Sequence, residues 1–84
     1  MSQTALGHRH QRTLETITRL YEDGETDAYG GGVAAATITE AMEFHEGTTR
    51  RYVSALADVG DLEQVRGMGP RGVRPSYVPT EADR

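Results

Sequence analysis

The side chains best suited to recognition chemistry lie in two short stretches, 47–57 and 64–79, which are rich in arginine. A guanidinium group offers a planar fork of N–H donors that fits a phosphate or the O6/N7 edge of guanine, and a hydroxyl adds a smaller donor. This chemistry is noncovalent, and it requires that both stretches share one surface. The candidate residues are Thr48, Arg50, Arg51, Ser54, Arg66, Arg71 and Arg74.

The charge of the chain is distributed unevenly. The net charge is −4, yet the two stretches together contain five arginines and no acidic residue. The remaining 57 residues contain four arginines and all 13 acidic residues. Because binding to a polyanion depends on where the positive charge lies, this pattern predicts a basic surface on an acidic protein.

Other kinds of chemistry find little support in the sequence. The chain has no cysteine, and no carboxylate has ligand spacing to His8 or His10, while His45 is better explained as the start of the third helix, so we expect no metal and no cofactor. The glycine run 30–32 lacks the Gly-Lys-Ser/Thr ending of a phosphate loop. No local Ser/His/Asp set or carboxylate pair is present, and 84 residues leave little room for a deep cleft. We therefore expect neither an enzyme nor a small-molecule ligand.

The spacing of apolar residues predicts three helices, at 10–23, 37–44 and 48–59. Gly24 and Gly60 follow the first and third helices and are suitable C′ residues. Thr37 and Glu40 have the spacing of a capping box at the start of the second helix. In the third helix, the face that carries Arg51 and Ser54 is opposite the apolar face, so one side can pack while the other remains available.

After Gly60 the pattern changes to that of a strand. Residues 62–66 alternate between apolar and polar, 67–72 form a glycine-rich turn, and 73–78 return as a second strand. Pro75 restricts that returning strand to an edge position or a bulge. Residues 29–36 are expected to form a flexible glycine loop, with room for a short strand at its end. Residues 1–8 should be a disordered N-terminus and 80–84 a tail, which leaves one domain at 9–79.

The order of elements is helix, helix, tight turn, helix and hairpin. The segment TITEAMEFHEGTTRRYVSALADVGDLEQV resembles the recognition unit of prokaryotic winged helix-turn-helix regulators of the MarR and ArsR type, in particular small haloarchaeal and haloarchaeal-phage repressors. The resemblance covers about residues 9–79 and is most specific from Gly47 to Val53. It implies an α+β winged helix-turn-helix fold, with three helices followed by a two-stranded β-hairpin wing, and a homodimer bound to operator DNA.

On this basis we expect a sequence-specific regulator of double-stranded DNA, most simply a repressor. Arg51 and Ser54 would contact base edges, and Arg50 and Thr48 would contact phosphate. The hairpin arginines would grip phosphate or the minor groove. The alternative is that this helix face is merely solvated and the hairpin merely flexible and polar. The chain would then be a protein-interaction adaptor, an enzyme fragment or an antitoxin-like inhibitor.

All nine basic residues are arginine, and none is lysine. Abundant acid without lysine is typical of proteins from salt-loving archaea, where a Debye length of about 3 Å at 1 M salt removes the self-repulsion of an acidic surface. A GC-rich codon bias is the alternative interpretation. No apolar run approaches the length of a membrane span and residues 1–7 lack the apolar core of a secretion signal, so we expect a cytoplasmic protein without membrane contact.

Overall fold

The computed structural model describes residues 4–80, so the ends of the predicted N-terminus and tail, 1–3 and 81–84, lie outside it. The described chain is an α+β arrangement of three helices and a three-stranded antiparallel sheet. None of these helices has the length and apolarity needed to cross a membrane. The elements in chain order are α1 (His8–Glu22), β1 (Val33–Ala34), α2 (Ala35–Met42), α3 (Glu46–Asp58), β2 (Leu62–Gly69) and β3 (Gly72–Pro79).

Helices α1 and α3 form where the apolar spacing predicts them. Helix α1 buries Leu14 and Ile17, and α3 buries Val53 and Leu56, in each case on one face of the helix. Both helices are followed by a glycine with positive φ, 81° at Gly24 and 85° at Gly60, a conformation that costs glycine little. The predicted helix ends are therefore confirmed to within two residues.

Helix α2 begins earlier than its capping pattern suggests. Its N-cap is Ala34, which makes no side-chain cap hydrogen bond, and Thr37 lies inside the helix. The predicted capping box is wrong, because β1 leads directly into the helix and its pairing with β3 fixes where the helix starts.

The sheet has one strand more than the predicted two-stranded hairpin. Residues Val33 and Ala34 form β1 and pair with β3 opposite Tyr77 and Ser76, which gives the strand order β1-β3-β2. The returning strand is therefore central. Pro75 is tolerated there because β1 ends opposite Ser76, and beyond that point β3 has β2 as its partner on one side alone.

The core lies between the helices and one face of the sheet. Thr13, at 0% exposure, donates its hydroxyl to the carbonyl of Arg9, so this buried polar group is satisfied. Leu6, from the stretch predicted to be disordered, packs against the core. The buried cluster consists of Leu14, Ile17, Val33, Ile38, Val53, Leu56, Leu62 and Tyr77.

Two of the three glycines of the run, Gly31 and Gly32, pack against the sheet, whereas Gly30 is exposed. A Cβ on Gly32 would overlap the carbonyl oxygen of Tyr77, and one on Gly31 would lie 2.7 Å from the Cα of Gly67. The N–H of Gly32 donates to the buried hydroxyl of Ser76 at 2.7 Å. The expectation of a flexible loop is thus corrected, because these glycines let two backbones touch.

We expect Gly32→Ala to destabilise the protein by about 3 kcal/mol, since the new methyl group meets the strand backbone at Tyr77, which cannot move aside, as well as the side chain of Val78. Gly47→Ala is the matched control. It lies in α3 with nothing within 4 Å of its Cβ position, so it should stabilise by about 0.5–1 kcal/mol. Urea unfolding followed by circular dichroism measures both values. An unchanged midpoint for Gly32→Ala would contradict the close approach.

Candidate nucleic-acid interface

An open groove of about 660 Å³ runs between the exposed side of α3 and the sheet. Helix α3 contributes Arg50, Arg51 and Ser54, all exposed, and the sheet contributes Gln64 and Tyr77. The fold thus brings three predicted contact residues into one concave surface. The full lining is Arg50, Arg51, Ser54, Ala55, Ala57, Asp58, Gln64 and Tyr77.

The two adjacent arginines of the groove differ in their electrostatic surroundings. The guanidinium of Arg50 donates to the carboxylate of Glu46 at 2.7 Å, across one turn of α3, and both side chains are about 70% exposed. Such a pair contributes a few tenths of a kcal/mol, so a phosphate can displace it. Arg51 has no ion-pair partner within residues 4–80. It is therefore the more available of the two guanidinium groups.

The packing of α3 decides which of its faces is free. Thr49 is fully buried, and its hydroxyl accepts a hydrogen bond from the hydroxyl of Thr39 at 2.7 Å, which ties α3 to α2. Tyr52 contacts the rings of His10 and Phe44 at centroid distances of 4.5 and 5.4 Å. Thr48 is half-buried in the first turn and does not line the groove. These contacts fix the helix with Arg51 and Ser54 outward.

The strand register places Arg66 on the groove side of the sheet. Gln64 pairs with Tyr77, and Arg66 pairs with Pro75, two residues further along each strand. Because side chains alternate between faces with a period of two, Arg66 lies on the same face as Gln64, about 6.8 Å further from the groove. Arg66 is exposed, and it extends the basic surface along the hairpin.

Arg74 has a different placement from the other hairpin arginines. It pairs in register with Gly67, which puts it on the sheet face opposite to Arg66. There its Nε and Nη2 donate to the two carboxylate oxygens of Asp27, each at 2.8 Å. The Asp27 side chain is 8% exposed and that of Arg74 is 35% exposed. We call this bidentate pair the Asp27–Arg74 clip.

The clip raises the pKa of Arg74, chiefly through its hydrogen bonds to Asp27. A basic group with a raised folded-state pKa stabilises the protein below its unfolded pKa, and it loses this contribution only as the pH rises through the folded value. For arginine that range lies above any useful pH. The guanidinium of Arg74 therefore remains protonated at every pH at which the protein can be studied.

Arg71 lies in the two-residue turn between Gly69 and Gly72 and is exposed. It is thus presented at the end of the hairpin, whose turn is shorter than the predicted 67–72. Gly72 has φ 117°, a value that favours glycine, and a Cβ on Gly69 would meet the guanidinium of Arg74. Glycine at these positions lets the chain reverse and lets Arg74 lie across the strand.

The expected freedom of this surface from carboxylates is corrected by the structure. Glu46 reaches Arg50, Asp58 lines the groove, and Asp27 binds Arg74. Asp27 lies 47 residues from Arg74, so no local pattern indicates their contact. Gln64 was also not predicted as a site residue, although its spacing of two from buried Leu62 was a usable signal.

Comparison with protein-family models, with curated proteins and with solved structures finds no match to this chain. The groove and its surroundings are therefore the features from which a function can be inferred.

Proposed function

We propose that this chain is a sequence-specific transcriptional regulator of the winged helix-turn-helix type, which binds double-stranded DNA and acts as a repressor. The supporting observation is the groove, where Arg51 and Ser54 of α3 face solvent beside the sheet. In this assignment α2 and α3 are the helix-turn-helix, and the β2–β3 hairpin is the wing. The resemblance of residues 9–79 to small haloarchaeal repressors agrees with the proposal.

The proposed mode of binding follows from the size of the major groove. At about 12 Å wide, it admits one helix, and α3 would enter it with Arg51 forked to a guanine and Ser54 on a neighbouring base. Arg50 would exchange Glu46 for a phosphate, and Thr48 would contact the backbone at the helix start. Arg66 and Arg71 would bind the flanking backbone from the wing. Arg74, which is bound to Asp27 on the other face of the hairpin, would support the wing.

We further propose a homodimer. One module neutralises few phosphates, and two half-sites spaced by a helical turn roughly double the contact free energy. The solvent-exposed side chains of α1 are mainly polar, so this helix offers no apolar stripe for such an interface. A palindromic operator would therefore indicate that the protein binds as a dimer.

The test is selection of bound duplexes from a random library at several potassium chloride concentrations. We expect one recovered motif, palindromic if the protein is a dimer. For the selected duplex, the logarithm of the affinity should fall with the logarithm of salt at about 0.9 per phosphate contacted. The matched control is the same duplex with the guanines of the motif replaced. Recovery of no motif at any salt concentration would refute the proposal.

A winged-helix adaptor for protein partners is the second candidate. The net charge of −4 favours it, and so does the pairing of Arg50 and Arg74 with carboxylates inside the fold. An adaptor would give no mobility shift with any duplex, even at low salt.

A further inference from the structure

Large exposed apolar side chains are concentrated at the outer end of the hairpin. Within residues 4–80 the exposed large apolar residues are Tyr29, Val59, Met68 and Val73. Met68 pairs in register with Val73, and Ala28, the neighbour of Tyr29, forms a bridge with Met68. Three of the four therefore gather at one place, with Tyr29 86%, Met68 39% and Val73 65% exposed.

The Met68–Val73 pair lies on the groove side of the sheet. Successive side chains of a strand point to opposite faces of the sheet, so Met68 lies on the same face as Gln64 and Arg66. Their partners on β3, Val73 and Tyr77, lie on that face as well. Gln64 and Tyr77 line the groove together with Arg51. The apolar pair therefore continues the same surface that carries the proposed base-reading residues.

Basic residues border the apolar pair along the hairpin. Arg66 lies about 6.8 Å from Met68 on the side of the groove, and exposed Arg71 lies in the turn on the other side. The sequence between Gln64 and Tyr77 contains no acidic residue, and Asp27, which the fold brings to the hairpin, is paired with Arg74 on the opposite face. The surface thus has an apolar centre between two positive groups, which fits a partner with an apolar centre between two rows of negative charge.

The DNA minor groove has this chemistry, with sugar walls and base edges between two lines of phosphate. Minor-groove proteins insert apolar side chains such as Met between base steps and kink the duplex. A second copy of this chain fits less well, since pairing two such surfaces would bring Arg66 and Arg71 of both copies together.

We infer that the Met68–Val73 pair is an apolar wedge that enters the minor groove beside the site of α3 and unstacks a base step there. This inference depends on the proposed DNA-binding function and adds to it a bend in the bound duplex. Arg66 and Arg71 would bind the phosphates on either side of the wedge.

The test compares Met68→Ser/Val73→Ser with the wild-type chain on the 30-base-pair duplex recovered by selection. We expect the affinity to fall at least tenfold at every salt concentration with an unchanged salt slope, because the number of phosphate contacts is the same. The fluorescence of a 2-aminopurine placed at the base step that faces the wing should increase when wild type binds and should not increase when the variant binds. Arg66→Ala should instead reduce the slope by about 0.9.

Val59→Ser is the matched control, because Val59 is 47% exposed at the end of α3 and does not line the groove. Equal affinities of the double variant and wild type for the duplex would overturn the wedge while leaving the DNA-binding proposal intact. Failure of wild type itself to bind any duplex would overturn both. A wild-type dimer that becomes a monomer in the double variant, measured by sedimentation equilibrium, would assign the surface to dimerisation and also overturn the wedge.

Discussion

Arg51→Ala is expected to abolish the sequence-dependent mobility shift at protein concentrations that saturate the wild type. Arg51 is the arginine of the groove that has no carboxylate partner within residues 4–80. An arginine forked to guanine is worth about 1–3 kcal/mol of discrimination, or about 5- to 150-fold in affinity per half-site. Because the side chain is exposed and makes no such internal contact, the variant should unfold at the wild-type urea concentration.

Two variants separate base reading from the loss of a charge. Arg51→Lys keeps the charge but loses the planar fork, so binding to random duplex should persist while preference for the selected motif falls. Arg19→Ala removes one exposed positive charge from α1, away from the groove, and should change the affinity less than twofold. If Arg51→Lys retained the full motif preference, the role of Arg51 would be phosphate contact alone.

The Asp27–Arg74 clip gives a prediction whose sign distinguishes two roles for Arg74. Asp27→Ala releases the guanidinium of Arg74. If Arg74 stabilises the hairpin from the face opposite to Arg66, the DNA affinity of the variant should fall or stay constant. If Arg74 is a phosphate ligand held back by Asp27, affinity and salt slope should both rise. We expect the first result, because the register places Arg74 opposite to Arg66.

The clip should also contribute to stability. Arg74→Ala leaves the carboxylate of Asp27, at 8% exposure, without its partner. We expect a loss of about 2 kcal/mol, less than the 3–5 kcal/mol of a fully buried pair because Arg74 is itself one-third exposed. Asp27→Ala/Arg74→Ala should cost less than the sum of the two single changes, a coupling that urea unfolding can measure. Additive losses would show that the two side chains act independently.

Much of the helical framework follows from local patterns. The apolar spacing around Leu14 and Leu56 placed α1 and α3, and Gly24 and Gly60 placed their ends, because these signals arise from the period of the helix and the conformational freedom of glycine. Thr37 shows where such signals fail. Its hydroxyl and Glu40 have suitable cap spacing, yet strand pairing starts the helix two residues earlier.

The sequence by itself determined the helices, the hairpin and which face of α3 carries Arg51 and Ser54, since each depends on neighbours a few residues apart. The sequence left room for a short strand at the end of residues 29–36, but the tertiary structure alone decided that it joins the sheet, because Val33 and Ala34 find their partners in Tyr77 and Ser76 of β3. It also decided that Arg74 faces Asp27 while Arg66 faces the groove. Pairings of this kind depend on strand register and on contacts between distant segments, which no short pattern specifies.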